Sequence, residues 1–211
     1  MNQEYYLNKS TKYGMGHTRL RRVLGLVGAI SGKKILDVGC ANGRLGAKLK
    51  DLGAVVYGID VSSIAVAEAS QKIDKAIVVD ISEEWPDLGE KFSVIVISEV
   101  LEHMFDPVFV LSQAARFLEE GGKIIITVPN FLVWTNRIKF LFGNFSYEDQ
   151  GMFDFGHIRW FTYDYLGRVL DDVGLKVTEE RHIIYPGKLA FFLRFWPSLF
   201  SWQFIISVSR K

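Results

Sequence analysis

Asp37, Gly39, Ala41, Gly43 and Asp60 are the residues whose types and spacing most directly suggest chemistry. The apolar stretch Ile35-Leu36 runs into a carboxylate, Asp37, and then into the small-residue segment Val38-Gly39-Cys40-Ala41-Asn42-Gly43. A helical pattern follows at once, with Leu45, Leu49 and Leu52 on one face. A strand, a glycine turn and a helix let a nucleotide-like ligand approach backbone N–H groups at a helix N-terminus. About twenty residues further on, Tyr57-Gly58-Ile59-Asp60 ends a second apolar run in an acid, the expected place for a carboxylate that accepts hydrogen bonds from ribose hydroxyls.

The glycine spacing discriminates between cofactors. A dinucleotide turn has glycine at its first, third and sixth positions. Those positions here are Gly39, Ala41 and Arg44, and the last glycine falls one residue early, at Gly43. A nicotinamide oxidoreductase is therefore disfavoured. The pattern Asp-x-Gly-x-Ala-x-Gly over residues 37–43 resembles the first motif of class I S-adenosylmethionine (SAM)-dependent methyltransferases, with alanine where the usual form has glycine. The resemblance implies that the turn, including Cys40, lies beneath the methionine part of SAM, and that Asp60, with Val61 beside it, holds the ribose.

These residues need a scaffold, and the chain supplies alternating strands and helices. Residues 15–30 read as an amphipathic helix, with Leu20, Val23, Leu24, Val27 and Ile30 at helical spacing. Strands are expected near 34–38, 54–59, 76–79, 92–98 and 123–128, with helices near 44–52, 62–72 and 108–119. Runs such as Val94-Ile95-Val96-Ile97 are continuously apolar, as in strands buried on both faces. After residue 130 an aromatic segment intervenes, then a helix near 163–173, a strand near 175–184, more aromatic residues and a last strand near 203–209. The fold class is α/β: a mostly parallel sheet with helices on both faces. The resemblance makes it Rossmann-like, closes it with an antiparallel last strand and gives the order 3-2-1-4-5-7-6. One domain is expected over 1–211: an N-terminal helical segment 1–32, a cofactor half 33–130 and an acceptor half 131–211.

Further motifs extend the resemblance over residues 15–130. Ile77-Val78-Val79-Asp80-Ile81 ends a third strand in an acid; in the family such an acid faces the adenine amino group, and the position of Ile81 adds a backbone or apolar contact. Ser98 and Glu99 end the fourth strand on the rim where ligands sit in open α/β sheets, so they should line the methionine end. The string Glu99-Val100-Leu101-Glu102-His103 with Asp106-Pro107 resembles the small-molecule branch that includes ubiquinone-biosynthesis O-methyltransferases. The segment Gly156-His157-Ile158-Arg159-Trp160-Phe161-Thr162 recurs in that branch, and also in methyltransferase-like proteins associated with methionine synthesis and surface glycans. On a helix Glu99, Glu102 and His103 would face one way and could ligate a divalent ion. The preferred reading assigns no metal: Glu99 contacts cofactor and His103 packs or hydrogen-bonds beneath the rim. His182 is read as structural, and His17 as a cap or a contact of the cofactor's carboxylate end.

His157 is the candidate for acceptor chemistry, because imidazole can take a hydroxyl proton near neutral pH. The aromatic residues around it, Trp134 and Phe145 among them, together with Phe191, Phe192 and Trp196, point to an apolar or aromatic acceptor. Trp134, His157 and Trp196 are the expected acceptor contacts. Leu189–Ile206 approaches the length of a membrane span, but Arg194 and Pro197 argue against one. A surface helix is expected there, covering the pocket, a second copy of the chain (a homodimer) or, as a peripheral contact, a membrane surface.

Composition narrows the function classes. The chain has 211 residues, 49% of them hydrophobic, a formal charge of +1 and one cysteine. That balance implies no electrostatic pull toward nucleic acid. Arg19, Arg21 and Arg22 are too short a basic run for a nucleic-acid footprint, and no Asn/Asp-Pro-Pro-aromatic string follows the fourth strand. A lone cysteine forms no intrachain disulfide and suits a reducing cytoplasm. Met1–Gly14 lacks the apolar core of a signal peptide. The sequence thus reads as a SAM-dependent methyltransferase acting on a small molecule, at oxygen. The alternative is a SAM-binding subunit without turnover.

Overall fold

The computed structural model describes residues 16–149, 151–184 and 195–211. Its frame is a sheet in the order β3-β2-β1-β4-β5-β8-β6. The strands are β1 (Lys34–Val38), β2 (Val55–Asp60), β3 (Lys75–Val78), β4 (Phe92–Ser98), β5 (Leu118–Pro129), β6 (Leu175–Glu180), β7 (Ile183–Ile184) and β8 (Ser201–Arg210). The helices are α1 (His17–Val27), α2 (Arg44–Asp51), α3 (Ser63–Ala69), α4 (Pro107–Phe117), α5 (Trp134–Leu141), α6 (Tyr163–Asp172) and α7 (Pro197–Phe200). The first five strands pair in parallel, and β8 runs antiparallel between β5 and β6.

The apolar strands alternate their side chains between two cores, as the pleat requires. Ile95, Ile97, Ile124 and Ile126 face a core that holds Leu111 and Phe117 of α4 and Leu166 and Leu170 of α6. Val94, Val96, Ile125 and Ile205 face the other, with Val23 and Leu26 of α1 and Leu45 and Leu49 of α2. Each fully buried Leu or Ile of this kind contributes about 1.5–3 kcal/mol of transfer free energy. Covering both faces fixes the register: Asp37 lies opposite Gly58, and Val38 opposite Ile59 and Ile97. The C-terminal ends of β1, β2, β4 and β5 therefore meet on one rim, where Asp37, Asp60, Ser98 and Thr127 are gathered.

Helix boundaries follow local chemistry. Ser62 caps α3 by accepting Ala65 N–H, Asp106 caps α4 with Pro107 as its first residue, and Thr162 caps α6. α1 ends at Gly28, in the left-handed region at φ 72°, and Lys123 Nζ binds the Leu26 carbonyl beside that end.

Near the C-terminus the structure refines the sequence reading at the last strands. The single strand expected near 175–184 is split. Arg181 N–H goes to the Ile205 carbonyl and His182 Nδ1 accepts Ile205 N–H at 3.2 Å, so a side chain replaces one rung of the ladder. Of the surface helix expected in the second aromatic segment, the described part shows Pro197–Phe200 as helical, and the last strand, expected near 203–209, is β8 and begins at Ser201. Val208 and Ile206 pair opposite Ile124 and Ile126, which buries this strand in the sheet. Residues 189–194, with Phe191 and Phe192, lie outside the described residues. Among the described residues no helix is long and apolar enough to cross a membrane.

Candidate functional site

The turn after β1 is held in shape by its neighbours. Gly39 N–H and Cys40 N–H both donate to the Ile59 carbonyl, at 2.8 and 3.0 Å, and Gly43 N–H closes on Cys40 at 2.9 Å. Gly39 and Gly43 take φ 70° and 74°. A Cβ on Gly39 would sit 2.6 Å from Val100 Cγ2, and one on Gly43 2.9 Å from Ala69 Cα. Glycine is thus required at both positions by conformation and by space. Ala41 also adopts a left-handed φ, 47°, which explains why glycine suits this position and what the alanine costs, on the order of 1–2 kcal/mol.

Asp60 fastens this turn to the next one. Its Oδ2 accepts Ala41 N–H at 2.9 Å and its Oδ1 accepts Ser62 N–H at 2.9 Å. Asp37 is buried beneath the turn. Burial first, and then the Asp60 carboxylate, raise its carboxyl to about 7, opposed by the Gly46 N–H. Cys40 is buried against Gly58, where a Cβ would meet its Sγ at 2.7 Å. Burial, then the charges of Asp37 and Asp60, push its thiol far up. A thiol held protonated in this way is a packing group and a poor nucleophile.

These residues open into a cavity of about 950 Å³. Asp37, Gly39, Cys40, Ala41, Asp60, Val61, Asp80, Ile81, Ser98, Glu99 and His157 all line it. Gly43 does not; it starts α2 and packs against α3. Asp80 folds into a turn, with Oδ1 accepting from Ser82 N–H at 3.0 Å and Ser82 Oγ at 2.6 Å. Glu99 holds φ 57° because its N–H is taken by Thr127, on the carbonyl and on Oγ1, each at 3.1 Å. Its carboxylate receives Gln203 Nε2 at 2.5 Å and Thr127 Oγ1 at 2.9 Å, and pairs with Arg19 at 2.8 Å.

Arg19 comes from α1, lines the cavity and was not anticipated. The available signal was a cation four residues before Val23 and seven before Leu26, on the buried stripe of an amphipathic helix. His17, by contrast, is exposed and does not line the cavity.

The far end of the cavity is built from two short segments. One is the 3-10 turn Leu101–His103 with Met104 and Phe105; the other runs from Met152 to Arg159. Four tethers join them. Ile158 N–H and Arg159 N–H both reach the Glu102 carbonyl at 3.0 Å, His103 Nδ1 meets the Gly156 carbonyl at 2.7 Å, and the Arg159 guanidinium binds the Phe105 carbonyl. His157 Nδ1 meets the Met152 carbonyl at 2.8 Å, and the two imidazole rings lie 4.7 Å apart. Met104, Met152 and Ile158 supply apolar wall beside them.

The cluster of Glu99, Glu102 and His103 is not brought together as one helical face, because Glu99 precedes the turn in a left-handed conformation. The group that converges is Glu102, His103 and His157, with one ligand-capable atom from each within 4.8 Å of the others. Trp134 and Trp196 do not line the cavity; among the described residues Trp202 and Phe105 are the large rings that do. The first aromatic segment instead forms a small core of its own. Phe131 stacks near Phe140, Phe153 and Trp160 at centroid distances of 5.2, 6.1 and 5.0 Å. His182 is buried on the sheet, with Nε2 3.2 Å from Glu180.

With this geometry in hand, comparison with known proteins is decisive for family. A model of the family described as "Methyltransferase domain" matches residues 13–180. The chain belongs to the class I SAM-dependent methyltransferases. Curated relatives include the ubiquinone biosynthesis O-methyltransferase of Dechloromonas aromatica, 34% identical over 111 residues, covering 48% of this chain and 47% of that protein. The corresponding protein of Alkalilimnicola ehrlichii is 34% identical over 118 residues, covering 53% and 48%. The chain spans about half the length of the curated relatives it matches. Among solved structures, magnesium protoporphyrin IX methyltransferase from Synechocystis with bound SAH aligns at TM-score 0.67 and 18% identity, covering 99% of this chain and 94% of that one. A SAM-dependent methyltransferase from Mesorhizobium loti aligns at TM-score 0.68 and 15% identity, covering 92% and 99%. At such identities these structures speak to fold, and the fold is the Rossmann-like methyltransferase sheet.

Proposed function

We propose that this methyltransferase moves the methyl group of SAM to the oxygen of a small, apolar or aromatic hydroxyl compound. One observation carries the reading: a single cavity joins the Asp60-braced glycine turn to an apolar end that holds two imidazoles. In this reading the methionine part of SAM lies over Gly39, Cys40 and Ala41, and Asp60 accepts from the ribose hydroxyls. Asp80 and Ile81 receive the adenine. Ser98 and Glu99, with Arg19, border the amino-acid end, where an ammonium and a carboxylate need opposite charges. The ubiquinone O-methyltransferase relatives support oxygen as the attacked atom and a small molecule as acceptor.

The chemistry asks little of the protein beyond placement. The sulfonium is already an activated donor, and holding the hydroxyl in line with the S–CH3 bond supplies much of the acceleration. The oxygen lone pair attacks the methyl carbon, the C–S bond breaks toward sulfur, and the hydroxyl proton leaves to His157. The test is transfer of a radiolabelled methyl group from SAM to a panel of phenols and catechols, with products separated by chromatography. Label in an O-methyl ether supports the proposal. Label only on amine acceptors would reassign the attacked atom, and failure to bind SAM would remove the cofactor assignment.

A further inference from the structure

We infer that Glu102, His103 and His157 work as one proton-accepting unit and that Arg159 is the positioning residue that assembles it. The inference rests on the reading of this cavity as a site of methyl transfer to oxygen. It begins with hydrogen-bond direction. A backbone carbonyl only accepts. His103 Nδ1 lies 2.7 Å from the Gly156 carbonyl and His157 Nδ1 2.8 Å from the Met152 carbonyl, so both rings carry their proton on Nδ1. In each neutral ring the basic nitrogen is then Nε2. Two imidazoles 4.7 Å apart are thus fixed in the same tautomer, both lining the cavity. The carboxylate of Glu102, fully buried, lies close enough for one of its oxygens to be within 4.8 Å of a nitrogen of each ring. With Glu102 ionised, an imidazolium formed there would have an adjacent carboxylate to stabilise it.

The two anchoring carbonyls belong to the segment 152–159, whereas His103 belongs to the turn after β4. The pair exists only when these segments are docked. Arg159 docks them twice, through its backbone N–H on the Glu102 carbonyl at 3.0 Å and its guanidinium on the Phe105 carbonyl. The guanidinium also stacks over the Phe105 ring, 4.9 Å from its centroid. A planar fork that both donates and stacks is a task lysine does not reproduce. The other charged groups of the two segments are Asp154, whose Oδ1 accepts Gly156 N–H at 2.7 Å, and Asp106, which caps α4. The remaining charged groups that line the cavity are Asp37, Arg44, Asp60, Asp80 and the Arg19–Glu99 pair. In the step itself the acceptor oxygen bonds to the methyl carbon, sulfur keeps the C–S electron pair, and the hydroxyl proton passes to Nε2 of the unit and then to solvent.

The test is long-range nitrogen-15 NMR of the SAH-bound protein, whose four histidines are assigned by single substitutions. Wild type should show both His103 and His157 as Nδ1–H tautomers, with protonation of one ring moving the resonances of the other. Arg159→Ala, which removes the guanidinium tether and leaves the backbone ones, should weaken that coupling and let His103 sample a second tautomer, added guanidinium should restore both in part, and Arg159→Lys should stay impaired. SAH affinity should change less than about threefold in each variant, which separates positioning from a general loss of fold. With any phenol methylated in the panel above, His103→Asn, His157→Asn and the double variant should lose kcat by similar factors, on the order of 10²–10⁴, because groups acting as a unit are not additive. The NMR readout needs no acceptor, so it decides the inference separately from the oxygen-transfer reading. An Nε2–H tautomer in either ring, independent titration in wild type, or Arg159→Ala with unchanged spectra would overturn it. So would a stoichiometric metal that is lost in His157→Asn and whose removal shifts both Nε2 resonances, since the three residues would then be ligands.

Discussion

Asp37→Asn is expected to change how stability depends on pH. Asp37 is 2% exposed, and burial together with Asp60 raises its carboxyl from 3.8 to about 7 in the folded, ligand-free protein. Between these values the unfolded chain gives up a proton that the folded chain keeps. Folding is therefore favoured at low pH by this group, and the benefit is lost as pH rises through the window to about 7. At about 1.4 kcal/mol per pH unit the whole window is worth up to about 4 kcal/mol, of which about 3 kcal/mol falls between pH 5 and pH 7. Asparagine keeps an acceptor for the Gly46 N–H and carries no charge, so the variant should lack this decline. Urea unfolding of both proteins at constant ionic strength, from pH 5 to pH 8.5, measures it. The variant should gain on wild type steadily up to pH 7 and hold a constant advantage above it, with equal m-values. Parallel curves over the whole range would refute the reasoning, since they would mean that Asp37 ionises in the fold as easily as in the open chain.

Three further outcomes are expected. Asp60→Ala should weaken SAM binding by about 1.5–3 kcal/mol for each charge-assisted hydrogen bond lost, read by calorimetry, and should also lower the melting temperature because Ala41 N–H and Ser62 N–H lose their acceptor. Gly39→Val should abolish SAM binding, measured by equilibrium dialysis, since the new side chain meets Val100 in a left-handed backbone; normal binding would remove residues 37–43 from the cofactor site. Ala41→Gly should raise stability slightly, by less than about 1 kcal/mol, because relief of the left-handed strain is offset by added freedom in the unfolded chain; chemical denaturation decides the sign.

Much of the glycine-turn end of the cavity is legible from short-range signals. Continuous apolar strands, small residues at 39–43 and acids at strand ends are local properties, and the parallel register turns them into one rim. The acceptor end was less legible, for identifiable reasons. The trio Glu99, Glu102 and His103 reads as one helical face only if the backbone is helical from residue 99, and the left-handed φ of Glu99 breaks that spacing. Trp134 was expected at the pocket on composition, yet composition does not say which way a ring faces, and the first aromatic segment largely packs on itself. Gly43, expected to bind the cofactor, does not line the cavity and packs against Ala69 at the start of α2. His157 lines the cavity, and the ring beside it, His103, is 54 positions away in the chain, a distance that no local pattern spans.

The position of β8 has a consequence for biosynthesis. β5 offers its open edge, and β6 its only pairing edge among the described residues, to a strand that begins at Ser201. While the ribosome is still making residues 130–200, the Ile124-Ile125-Ile126 edge has no ladder partner, and an unpaired apolar edge invites pairing with other chains. The cofactor half can form its own parallel pairs early, but the second half must wait for one late strand to slide between two others. Interrupted synthesis between Glu180 and Ser201 should therefore leave nascent chains that associate edge to edge.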